Sequence, residues 1–202
     1  MTILVLAVAA AMYWRWPTRG SPDPTLPARE TGSTSRESTT PEQSSATADN
    51  TFREIDWQAL LPKGWDPMAP FKGLRLDQMQ DGDPQAQIAL YKARKYWKTA
   101  PTEPSVDGKP IRLPGYVVSL DGEGEAIREF LLVPYFGACI HVPPPPSNQV
   151  VHVRTGKPLE GLRTMDTVWI SGIMRVEHAE TGMGDAGYAI NAVRVEPYQP
   201  AP

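Results

Sequence analysis

The chain carries one cysteine and three histidines in 202 residues, and this shortage excludes whole classes of chemistry. A lone cysteine cannot close an intramolecular disulfide, build an all-cysteine zinc cage or supply the resolving thiol for disulfide exchange. It leaves a buried thiol, a single metal ligand or a reactive thiol. Charge of one sign is also lacking: 20 basic against 23 acidic side chains give a net charge of -3, so neither a nucleic-acid footprint nor an acidic tail stands out. Nucleic acid is not an expected partner. Long apolar runs are missing too, because "ILVLAVAAAMYW" at 3–14 falls short of the roughly 20 residues that a spanning helix prefers.

That run has the length of a signal-peptide core. No basic leader precedes it, and Arg15 and Arg19 lie on its far side, where the positive-inside rule does not put them for an exported domain. Small residues at 7–11 offer cleavage points, and no cysteine follows to carry a lipid. Residues 1–16 are expected to be a signal or membrane-anchor segment, which places the rest in the periplasm, tethered to the inner membrane if the segment is retained. Residues 17–50, rich in Pro, Ser and Thr and nearly devoid of large apolar side chains, cannot bury enough surface to offset their ordering entropy and read as a disordered linker.

Order is expected from about residue 51. A leading segment over 51–105 opens with the anchors Phe52, Ile55, Trp57, Leu60, Leu61 and Trp65 and continues into a helix over 84–98. Asp83 is placed to cap that helix, Pro84 to start it and Pro101 to close the element. Lys92, Arg94, Lys95 and Lys98 make it basic, a pattern shared by solvated helix faces and by surfaces for a partner or lipid. From residue 106 the periodicity becomes strand-like. Five strands are predicted over 111–120, 127–133, 150–153, 167–177 and 188–197, and they suit a mainly β domain over 106–198: a small five-stranded barrel resembling the oligonucleotide/oligosaccharide-binding (OB) fold.

The cysteine sits in "FLLVPYFGACIHVPPPPSNQVV" at 130–151. On an extended backbone Cys139 and His141 share a side, so a soft thiolate and an imidazole converge, a ligand pair that zinc and copper both accept. A closed zinc site needs more ligands, for which His152 and His178 are the candidates. The competing reading is a packed cysteine beside a hydrogen-bonded histidine. Thiol catalysis would require an oxyanion hole and a residue orienting the base; the sequence identifies neither, and an enzyme is not expected. Pro143, Pro144, Pro145 and Pro146 force a stiff extended course. They end a strand cleanly, or form with Asn148 and Gln149 a ridge that docks on another protein.

The segments "DGKPIRLPGYVVSL", "EFLLVPYFGACIHVPPPPSNQVV" and "GYAINAVRVE", with "IDWQALLP" and "DPQAQIAL" ahead of them, closely resemble the bacterial family known as domain of unknown function 3299, over about residues 54–197. Ser119 and Ser147 depart from the family pattern without touching the Cys-His pair. The resemblance implies an exported or membrane-tethered envelope protein. It also implies an association with zinc-responsive ABC transport systems, which makes zinc the candidate metal and inner-membrane ABC transporter components the candidate partners. The alternative is a metal-free interaction module that uses the proline loop.

Overall fold

The structure, a computed structural model, describes residues 51–75, 78–80, 82–121, 126–139 and 144–199. The expected anchor over 1–16 and linker over 17–50 lie outside the described residues. Six strands form one sheet: β1 (Arg53–Glu54), β2 (Pro110–Ser119), β3 (Ile127–Val133), β4 (Val151–Leu159), β5 (Thr167–Glu180) and β6 (Asp185–Pro197). β2, β3, β4, β6 and β5 follow one another around a ring that β5 closes on β2. All pairings in the ring are antiparallel except β4 with β6. The domain is mainly β, a closed five-stranded barrel of OB-like topology.

Closure depends on β2 serving two partners. Residues 110–116 pair with β5 and residues 116–119 with β3, while β1 takes the remaining edge at Ile111 and Arg112. The changeover falls at Tyr116, just after Pro114 and Gly115. Proline has no N–H to give to a ladder, and a Cβ at Gly115 would lie 2.7 Å from Leu132 Cγ and 2.9 Å from the Val133 carbonyl oxygen. Gly172 has the same role on β5, where a Cβ would meet the Asn191 carbonyl oxygen at 2.5 Å.

Alternation along the strands divides the apolar residues between two clusters. Leu113, Val117, Phe130, Leu132, Val151, Val153, Ile170, Met174 and Ile190 fill the barrel. Val118, Leu131, Val133 and Val150 face outward and form a second cluster with Ala138 and Ala186. A strand buried on both faces needs a continuous apolar run, and this accounts for "FLLV" in β3.

The leading segment plugs the barrel mouth. Its α-helix, α1 (Pro84–Lys98), is capped by Asp83, whose side chain accepts the Gln85 N–H at 2.8 Å. Ala86, Ala89 and Ala93 form its buried face, and Ala89 and Ala93 pack on Phe71. Ahead of it, a 3-10 turn at Trp57–Leu60 sends Trp57 and Leu60 into the barrel core. Tyr188, fully buried in that core, donates its hydroxyl to the Leu60 carbonyl at 2.7 Å and accepts the Glu103 N–H at 2.5 Å.

The strands run longer than the sequence pattern predicts. β4 continues to Leu159, pairing with β3 past a bulge. β5 and β6 extend to Glu180 and Asp185, because Thr181 makes a tight turn in which its hydroxyl donates to the Gly184 carbonyl at 2.7 Å.

Tyr188→Phe strips both hydrogen bonds from a dry seam. It is expected to lower unfolding free energy by about 1–3 kcal/mol, read as a lower urea midpoint with an unchanged slope.

Candidate functional site

In OB folds the outer face of the second and third strands, flanked by the first and last hairpin loops, carries ligands. Here that face is β3 and β4, and the chain between them folds back to cover it. Tyr135, Ala138 and Cys139 pack over Leu131, Val133 and Val150, and the last hairpin contributes Ala179, Met183 and Ala186. The segment holding the cysteine is therefore a cap on the face that OB folds use for ligands.

Cys139 is half-buried in this cap with a backbone φ of 67°, the left-handed region that non-glycine residues enter at a cost. Its Sγ points at the β5–β6 hairpin, 3.4 Å from where a Cβ on Gly184 would stand; Pro144 and Leu131 line the same spot. Burial pushes the thiol up to about 12. The Tyr135 phenol is raised as well, mainly by burial and secondarily by Cys139. A left-handed Cys139 also interrupts the extended backbone assumed in pairing it with His141, which itself lies outside the described residues, as does Pro143.

The other two histidines are held elsewhere. His152 stands beside Leu131 in the β3–β4 register, on the same outer face as the cap. Its Nε2 is 3.0 Å from Glu129 Oε2 and its Nδ1 is 3.3 Å from Arg154 Nη2. A guanidinium only donates, so Nδ1 accepts and the proton sits on Nε2, directed at Glu129. Both ring nitrogens are thereby engaged. Arg154 continues to Glu177 at 2.6 Å, and this hydrogen bond is the main cause holding the Glu177 carboxyl below its ordinary range.

His178 belongs to a different group. Its ring nitrogens and the carboxylates of Glu180 and Asp185 offer ligand atoms that all lie within 4.8 Å of one another. Ala179 pairs with Ala186 and Glu180 with Asp185, and the alanines face the cap, so alternation puts this trio on the opposite side of the hairpin from Cys139. Lys98 from the end of α1 already reaches in, 3.2 Å from Glu180 and 3.7 Å from Asp185. Sequence reasoning singled out His178 and ranked Asp185 as a less distinctive carboxylate beside it, but did not name Glu180; the tight 181–184 turn brings the three together.

The proline loop does not stand out as a ridge. Pro144 is half-buried, Pro145 and Pro146 are buried, and Asn148 and Gln149 lie in the interior. Asn148 Nδ2 donates to the Pro101 carbonyl at 2.9 Å and Gln149 Nε2 to the Trp57 carbonyl at 3.0 Å. The expected partner-binding amides thus hold the leading segment against the barrel.

With this arrangement established, the comparisons assign the family. The model of the family described as protein of unknown function, DUF3299, matches residues 57–197, and the chain belongs to that family. A solved DUF3299 family protein from Pseudomonas aeruginosa PAO1 is 36% identical, with a TM-score of 0.58 over 75% of this chain and 99% of that one. An OBody bound to hen egg-white lysozyme is 20% identical over 48% of this chain and 89% of its own, at a TM-score of 0.30. No curated protein matches.

Because the buried thiol keeps its proton, Cys139 is expected to react with a thiol reagent at pH 8 on the order of a thousandfold slower in the native chain than in urea. The sign for stability follows. Between the ordinary value of 9.0 and the folded value of about 12 the native state binds more protons than the unfolded one, so stability falls as pH rises through that window. Equal labelling rates in the two states would place the thiol in solvent.

Proposed function

We propose that this protein is a non-catalytic module of the bacterial envelope, exported or membrane-tethered, in which the Cys139–His141 corner binds a divalent soft metal as an accessory to ABC transport. The observation that supports it is the backbone of Cys139. The chain accepts a left-handed residue, at a cost of about 1–3 kcal/mol, where a glycine would enter freely. Buried packing alone gives no reason for that choice; a side chain needed for its sulfur does. Zinc suits the thiol, and His141, two residues on, is its nearest companion in sequence. His152 has no lone pair to spare while Arg154 holds Nδ1, and His178 serves the far side of the hairpin, so neither completes this corner as it stands. The buried prolines favour metal capture over docking through the loop.

Metal entry must expel the thiol proton, which gives the reading a pH signature. Stoichiometric zinc is expected to raise the melting temperature of the reduced full chain, more at pH 8 than at pH 6, because zinc stabilises whatever state it binds. Cys139→Ser and His141→Ala should each abolish the shift, while His178→Ala leaves it in place. A Cys139→Ser chain that responds to zinc as the parent does would sink the assignment, and loss of the shift in His178→Ala would move the metal to the hairpin trio.

A further inference from the structure

α1 (Pro84–Lys98) contains four basic residues and no acidic one, in a chain whose net charge is -3. Its buried side is alanine. Its outward side carries Ile88 and Tyr91, 55% and 70% exposed, and helical spacing sets Lys92 beside Ile88 and Lys95 beside Tyr91, each four residues on. Lys98 is taken up by Glu180 and Asp185, whereas no ion pair among the described residues holds Lys92 or Lys95. Two large apolar side chains and two unpaired ammonium groups therefore share one convex stripe.

We infer that this stripe is where the folded domain rests on an anionic phospholipid surface. The charge is complementary to phosphate headgroups. Tyrosine is favoured at the headgroup level, isoleucine enters the acyl boundary, and lysine stems lie along apolar surface while their heads stay with phosphate. A convex stripe suits a plane; a protein groove that takes a helix reads apolar anchors over two turns or more, and here the lysines occupy the second turn. The inference goes beyond metal binding. It draws on the tethered reading in one respect: a linker of the length of 17–50 reaches roughly 30 Å, so an anchored chain meets its own membrane at high effective concentration.

The test uses the full chain carrying a bimane on Gln85→Cys, an exposed position at the edge of the stripe. It is mixed with vesicles of phosphatidylcholine alone or with 30% phosphatidylglycerol, both containing a nitroxide-headgroup lipid. Quenching is expected only with phosphatidylglycerol and should fade as salt is raised. Each basic residue at such a surface contributes about fivefold in partition, so Lys92→Glu/Lys95→Glu should weaken the phosphatidylglycerol-dependent quenching by at least about 25-fold. Ile88→Ser/Tyr91→Ser should weaken it at unchanged charge. Equal quenching on both vesicle types, none on either, or quenching that survives the charge reversal would each overturn the inference. Co-sedimentation with pure phosphatidylcholine reports the amino-terminal tether separately, so a chain that stays in solution there refutes the tether without deciding the stripe.

Discussion

The joint between the leading segment and the barrel is a set of three hydrogen bonds made to main-chain carbonyls in dry surroundings. Tyr188 gives its hydroxyl to Leu60, Gln149 gives its amide to Trp57, and Trp57 gives its indole N–H to Pro114 at 2.7 Å. Each bond gives a buried side-chain donor a partner in the protein interior, and losing such a partner costs more than an ordinary hydrogen bond returns. The barrel mouth can therefore be closed by a short 3-10 turn in place of a long helix. Trp57 and Leu60 then enter the core as if they belonged to the strands.

The same joint gives the proline run a structural purpose. Pro144, Pro145 and Pro146 fix the direction in which the chain returns from the cap, and the 3-10 turn at Ser147–Gln149 aims Asn148 and Gln149 inward. An amide that reaches a specific carbonyl across the fold needs its backbone held rigidly. The sequence offered two uses for that stiffness, a clean strand end with a turn at Asn148 and Gln149 or an outward ridge for a partner. The polar residues after the prolines face inward because the leading segment supplies their acceptors, and no local pattern announces an acceptor some 50 or 90 residues upstream.

The parts legible in the sequence were those decided locally. Asp83 and Pro84 start α1 where capping chemistry puts them, and five strands lie close to their apolar runs. Boundaries drifted where tertiary pairing extends a strand through polar residues, as at Arg154–Leu159, or where one side-chain hydroxyl tightens a turn, as at Thr181. At the candidate site the cysteine's burial was legible from its apolar surroundings. Its left-handed backbone was not, and that geometry undoes the simple alternation argument for placing Cys139 and His141 on one side of a strand.

Covering the face that OB folds use for ligands has consequences for where chemistry can occur. The cap removes the broad surface on which such folds hold extended ligands and replaces it with one thiol against a glycine-containing hairpin tip. Burial favours the protonated thiol, which slows its reaction with alkylating agents at neutral pH relative to an exposed thiol. Gly184 matters here through what it omits: a Cβ at that point would stand 3.4 Å from the sulfur. The hairpin that bounds the thiol on one side carries His178, Glu180 and Asp185 on the other, and Lys98 ties that second side to α1. A change at the cap that moved the hairpin would therefore act on the α1 contact through two ion pairs, which links the corner to the helix whose outward face meets the surroundings.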